Sequence, residues 1–127
     1  LKSNGTRNAL TSLIDIYPTL VELCGLKAPE EQLDGNSLVP VLKNTELKGR
    51  EHVFIKRTNG FTLKTKGFSY TEFIKATDNS ILDKMLYDHR KNKDENTNVA
   101  YKKEFKSIGA KMSQTLHSAY AKNIKGE

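Results

Sequence analysis

Apolar positions follow a helical rhythm up to about residue 42 and a two-residue rhythm from about residue 53 to 87, after which the helical spacing returns. The stretch 10–15 reads as a short extended segment delivering the chain to Asp15, an N-cap candidate, with Pro18 in the first helical turn where its missing N–H costs nothing. From there Ile16, Leu20 and Leu23 fall on one face and Tyr17, Val21 and Cys24 on the adjacent one, so that only Glu22 clearly asks for water. A helix this apolar around its girth is expected to be buried on most sides. A chain with few other large apolar segments can hardly surround it, so the pattern asks for partners that are missing. Gly25 sits where a left-handed C′ residue ends a helix, and Pro29 prevents resumption. A turn at Asp34-Gly35 then leads into a short apolar segment, 38–42, and the polar stretch 43–51 marks a boundary between 1–50 and 51–127.

Beyond that boundary Val53-Phe54-Ile55 is a β-prone run, and Asn59-Gly60 is a strong two-residue hairpin signal, because both positions tolerate φ > 0. Phe61 to Thr65 alternates, Lys66-Gly67 gives a second turn, Phe68 to Phe73 alternates again, and Met85-Leu86-Tyr87 is a fourth short strand before the polar loop 89–98. Finally Tyr101, Phe105, Ile108, Met112, Leu116 and Tyr120 recur every three or four residues, with lysines between them, as in an amphipathic helix. Gly109 inside it costs about 1 kcal/mol of helix propensity relative to Ala. The expected fold is α+β: a small antiparallel meander of three to four strands packed by the C-terminal helix.

Composition narrows the function classes. The chain has 127 residues, one Cys and a net charge of +6. A single Cys24 rules out an internal disulfide and any multi-Cys zinc site, and its place on the apolar helix makes it core filler. No run of about 18 apolar residues offers a membrane span. The first residues carry neither an initiating Met nor an apolar signal core, as a truncated chain would show. The excess charge favours a polyanion partner, although most of it is Lys scattered through polar stretches. His52, His89 and His117 lack ligand spacing and read as surface or packing residues, and neither Asp34-Gly35 nor Asp94-Glu95 supplies the alternating ligands of a calcium loop. Asn4-Gly5-Thr6 fits a glycosylation sequon.

Four segments in one order resemble a single family. Leu13 to Leu26 (LIDIYPTLVELCGL) and Leu33 to Leu42 (LDGNSLVPVL) are similar to consecutive segments of sulfatases. Gly60 to Thr65 with Phe68 to Phe73, and Leu86-Tyr87-Asp88-His89 with Asp94 to Asn98, resemble the strands and ending of the iduronate-sulfatase-like branch. Met85, Asn92-Lys93 and Lys64 depart from the usual residues of that branch. The resemblance implies an alkaline-phosphatase-like parent in which the first helix closes the α/β core and residues 51–127 form a C-terminal subdomain. It also implies a formylglycine nucleophile and a calcium ion in the intact enzyme, neither provided by this segment, which on that reading is catalytically inactive. Cys24 is followed by Gly-Leu-Lys-Ala and so lacks the Pro and Arg of the formylglycine motif. Implied partners are the missing N-terminal core and an anionic sulfated substrate, with no nucleic acid and no membrane, in a periplasmic or secreted setting. Of the residues present, the resemblance points to Arg57, and after it Lys64, as substrate-binding groups, because a guanidinium binds sulfate or carboxylate in two places. The alternative is a stand-alone basic module that binds a polyanion.

Overall fold

A computed structural model describes residues 6–27, 33–44 and 46–124, with side chains as far as 119. Asn4, Pro29 and the side chain of Tyr120 lie outside the described residues. The chain divides into two compact units, Leu1–Val53 and Phe54–Glu127.

In the first unit a 3-10 turn, Leu13–Asp15, runs into helix α1, Ile16–Leu23, and a short helix α2, Val39–Lys43, follows. The segment 10–15 is therefore extended only at its start, where Leu10 bridges Gly49 and Arg50. It closes into a turn because the Asp15 carboxylate accepts a hydrogen bond from Ser12 N–H (2.9 Å). Helix α1 ends as its sequence dictates. Gly25 adopts φ +65°, Gly25 N–H donates to the Glu22 carbonyl and Leu26 N–H to the Val21 carbonyl, the paired bonds of a Schellman stop. Gly35 has a different reason to be glycine, since a Cβ there would overlap the Ile14 carbonyl.

Within α1 only Pro18, Thr19 and Val21 are buried. Leu13 is 84% exposed, and Ile14, Ile16, Tyr17, Leu20, Leu23 and Leu26 are all exposed as well. The covering that the apolar pattern asks for is not supplied by the described residues. Cys24 is exposed too, which corrects its reading as core filler: it lies past the last helical residue, on a side that nothing described covers.

A four-stranded antiparallel sheet in the order β1-β2-β3-β4 is formed by β1 (His52–Arg57), whose first two residues close the first unit, and by β2 (Gly60–Thr65), β3 (Phe68–Ile74) and β4 (Ile81–Asp88) of the second. The fourth strand is longer than its Met85–Tyr87 centre suggested, because it pairs with the whole of β3, with a register shift at Phe73/Ile74. The β1–β2 turn sits one residue earlier than Asn59-Gly60. Thr58 carries the positive φ (+39°), while Gly60 opens β2. Gly60 belongs to the strand through its pairing with Phe73 on β3, whose ring lies 3.3 Å from an ideal Cβ at Gly60.

A second 3-10 turn, Lys103–Phe105, leads into helix α3, Lys106–Ile124. Its stripe meets one face of the sheet: Phe105, Met112 and Leu116 close over Phe61, Leu63, Tyr70 and Leu86. Leu63, Tyr70 and Leu86 stand in one cross-strand row, and burying each of the two leucines contributes about 1.5–3 kcal/mol. Tyr101 departs from the predicted stripe. It precedes the helix and turns outward, under the Lys84 ammonium (5.3 Å to the ring centre), with its hydroxyl donating to Asp83 (2.6 Å).

The outer edge of β4 is partly closed by the loop that follows. Leu86 N–H donates to the Asn98 side-chain oxygen (2.9 Å), the Asn98 amide donates to the Lys84 carbonyl (3.2 Å), and Val99 N–H donates to the Leu86 carbonyl (2.8 Å).

Candidate functional site

Alternation along the strands sends one set of side chains into the helix-covered core and the other to the opposite face. On that second face the register places Lys64, Ser69 and Tyr87 in one row and Thr62, Thr71 and Met85 in the next. The face forms an open trough of about 690 Å³, whose lining includes both Arg57 and Lys64. The two residues thus line one trough from different strands. Arg57 lies against Gly60, its carbonyl 3.4 Å from an ideal Cβ there. Four residues along β2, about 13 Å at strand rise, comes Lys64. Between them the floor is hydroxylated: Thr62 and Thr71 are hydrogen-bonded to each other (2.8 Å). Glu95, held at φ +54°, reaches the trough and pairs with His89 Nε2 (2.6 Å).

Two buried carboxylates elsewhere do structural work: Asp15, which stands at the N-cap of α1 as read from the sequence but makes no side-chain cap bond there, and Glu72, which the sequence reading did not single out. Asp15, fully buried, accepts from Ser12 N–H, Asn36 N–H (2.9 Å), Arg50 Nε (3.1 Å) and Arg50 Nη2 (2.5 Å). Burial alone would raise its pKa, but the hydrogen bonds from Arg50, Asn36 and Ser12 outweigh burial and hold it below the ordinary carboxylate value. The Thr19 hydroxyl donates to the Asp15 carbonyl and accepts from Leu38 N–H, tying the same segments together.

Glu72 is the second. It is fully buried on the helix-facing side of β3, where the Tyr70 hydroxyl (2.7 Å) and His117 Nε2 (2.6 Å) donate to its two oxygens. Burial opposes its ionisation, yet the bonds from Ser113, Tyr70 and His117 prevail and depress its pKa. Tyr70 is pushed the other way, by burial and by the carboxylate beside it. The signal for Glu72 was present in the alternation, which puts it in step with Tyr70 and Phe68.

Among the described residues no group of three or more His, Cys, Asp or Glu side chains could hold a metal ion. Cys24 is exposed and lacks the neighbouring Pro and Arg.

Comparison with known proteins finds relatives along most of the chain. The family model described as N-sulphoglucosamine sulphohydrolase, C-terminal, matches residues 1–122. Arylsulfatase K of Rattus norvegicus is 28% identical over 131 aligned positions, which cover 93% of this chain and 22% of that protein. An ulvan-active sulfatase of Formosa agariphila is 35% identical over 68 residues, 54% of this chain and 14% of that protein. Among solved structures, a protein in complex with its substrate D-glucosamine-2-N,6-O-disulfate superposes with a TM-score of 0.71 at 21% identity, over 89% of this chain and 24% of the other, a likeness of fold. The chain thus spans about a fifth of the length of the relatives it matches along most of its own length.

Proposed function

The chain belongs to the sulfatase family described as N-sulphoglucosamine sulphohydrolase, C-terminal, and on that premise we propose that it is the non-catalytic, substrate-rim portion of an enzyme that hydrolyses sulfate esters of a carbohydrate. The observation that carries the reading is the apolar surface of the Leu13–Asp15 turn and α1, where seven large apolar side chains from Leu13 to Leu26 are exposed. A surface of that kind on a soluble protein marks an interface, and relatives more than four times as long supply a partner, the catalytic core of the sulfatase. A stand-alone polyanion-binding module would leave this surface unexplained.

In the intact enzyme the core provides the formylglycine, the calcium ion and the residues that act on the sulfate, and this chain provides cations. The trough presents Arg57 and Lys64 beside hydroxyls, a combination suited to an anionic sugar. A sulfated carbohydrate as substrate draws support from the disulfated glucosamine bound by the structural relative. A periplasmic or secreted setting goes with that substrate class.

The test is kinetic. The chain alone is expected to hydrolyse no aryl or sugar sulfate. In the parent sulfatase Arg57→Ala is expected to raise KM about tenfold with kcat nearly unchanged, the mark of lost substrate binding away from the reacting bond. Unaltered KM and kcat would end the role of Arg57.

A further inference from the structure

The hairpin between β1 and β2 places its backbone strain on a residue ill suited to bear it. Asn59-Gly60 would accept a two-residue turn with φ > 0 at both positions at little cost, yet the loop is Thr58-Asn59, and Thr58 holds φ +39°. Among the described non-glycine residues Thr58, Asn79 and Glu95 have positive φ, and of these Thr58 alone is β-branched, the kind of residue for which that conformation is a genuine outlier. The strain persists because β3 holds the end of the hairpin: Gly60 is paired with Phe73, and Ile74 N–H donates to the Asn59 carbonyl (2.8 Å).

The two turns put Arg57 in different places. With the loop at Thr58-Asn59, Arg57 faces Gly60 across the hairpin, where the partner residue has no side chain. With the loop at Asn59-Gly60 the ladder would slide, and Arg57 would face Thr62, two residues further along β2 and already bonded to Thr71 (2.8 Å). Arg57, Thr58 and Gly60 line the same trough, and Thr58 is exposed, so burial does not account for its conformation. We propose that Thr58 is a positioning residue: its positive φ fixes the register of β1 on β2, and with it the point along the trough at which Arg57 meets the substrate. This rests on the reading of Arg57 as a substrate contact and adds to it the turn that places it. What position 58 requires is the backbone angle, which Gly and Asn accept and Pro, locked at about −65°, refuses.

The experiment compares Thr58→Gly, Thr58→Asn and Thr58→Pro in the parent sulfatase, each alone and with Arg57→Ala, by thermal melting and by steady-state kinetics on a sulfated monosaccharide that the parent hydrolyses. Thr58→Gly is expected to raise the melting temperature by a few degrees, because it relieves the strain in place, and both Gly and Asn are expected to leave KM and kcat as they were. Thr58→Pro moves the turn to Asn59-Gly60 and is expected to raise KM about tenfold, to the level of Arg57→Ala, with kcat nearly unchanged. In the Arg57→Ala background it should add nothing, since both changes act through one guanidinium, whereas a general loss of structure would lower kcat in either background. Should Thr58→Pro not accumulate as folded enzyme, the same substitution in the 127-residue chain reads the register by NMR: cross-strand contacts of Arg57 move from Gly60 to Thr62, and contacts that stay at Gly60 would overturn the proposal. A KM unaltered by Thr58→Pro while Arg57→Ala raises it, or an equal rise with and without Arg57, would overturn the positioning role and leave the Arg57 contact standing. A KM unaltered by Arg57→Ala would overturn both. A melting temperature that does not rise with Thr58→Gly would show that the turn is unstrained and overturn the role given to its angle.

Discussion

Asp15 concentrates the logic of the first unit in one side chain. Its carboxylate gathers donors from residues 3, 21 and 35 positions away, so three separate segments depend on its charge. Because those bonds depress its folded pKa, its stabilisation is complete above the ordinary unfolded carboxylate range near pH 4 and is lost as pH falls through the lower folded value. Asp15→Asn keeps the shape but gives up the ion pair with Arg50, and is expected to cost about 2–4 kcal/mol, toward the lower side because Arg50 retains some access to water. Chemical denaturation of the first unit, followed between pH 3 and pH 7, should show wild-type stability falling on acidification and a flatter curve for the variant. Parallel curves would remove Asp15 from the account. Glu72 has the same sign in the second unit, through Ser113, Tyr70 and His117.

At the level of elements, α3 contains a glycine with no packing purpose. An ideal Cβ at Gly109 meets no atom within 4 Å, so nothing offsets the loss of helix propensity there. Gly109→Ala is expected to stabilise the second unit by about 0.5–1 kcal/mol, read as a higher melting temperature. An unchanged or lower value would mean that the backbone at this position is needed for something else. The elements themselves were legible because each carried a local signal: alternation for β2 and β3, a 3.6-residue stripe for α3, and Gly25 as a helix stop. What escaped depended on contacts distant in sequence. The β1–β2 turn falls one residue early because Gly60 is paired with Phe73, thirteen residues on, in the β2–β3 ladder. The Asp15 hub needed Arg50, and the edge role of Asn98 needed Lys84 and Leu86. For the trough, alternation alone put Thr62 and Lys64 on one face, whereas the separation of Lys64 from Arg57 required knowing where the hairpin turns.

For the whole molecule, the contrast between its two units is one of self-sufficiency. The second encloses a core of its own, with Leu86 inaccessible to water and Leu63 nearly so. The first holds its shape by polar bonds around Asp15 and Thr19 while its largest apolar groups face outward. Leu20→Lys is therefore expected to leave the stability of the isolated chain within about 0.5 kcal/mol and to reduce its binding of an apolar fluorescent dye. In the parent sulfatase the same change should lower the melting temperature sharply, since it would place an ammonium group in a buried contact. Equal, large losses in both would show that Leu20 is already covered within the chain.

The loop that closes over β4 limits how far the sheet can grow. A sheet edge is a template on which any passing strand can assemble, in the same molecule or another. Here the side-chain amide of Asn98 occupies the bonding positions at Lys84 and Leu86 that a fifth strand would need. The width of the sheet along that stretch is thus fixed by the Asn98 side chain acting as a false strand together with the Val99 N–H on the Leu86 carbonyl, and protection from chain-to-chain assembly there is supplied by residues that belong to no strand at all.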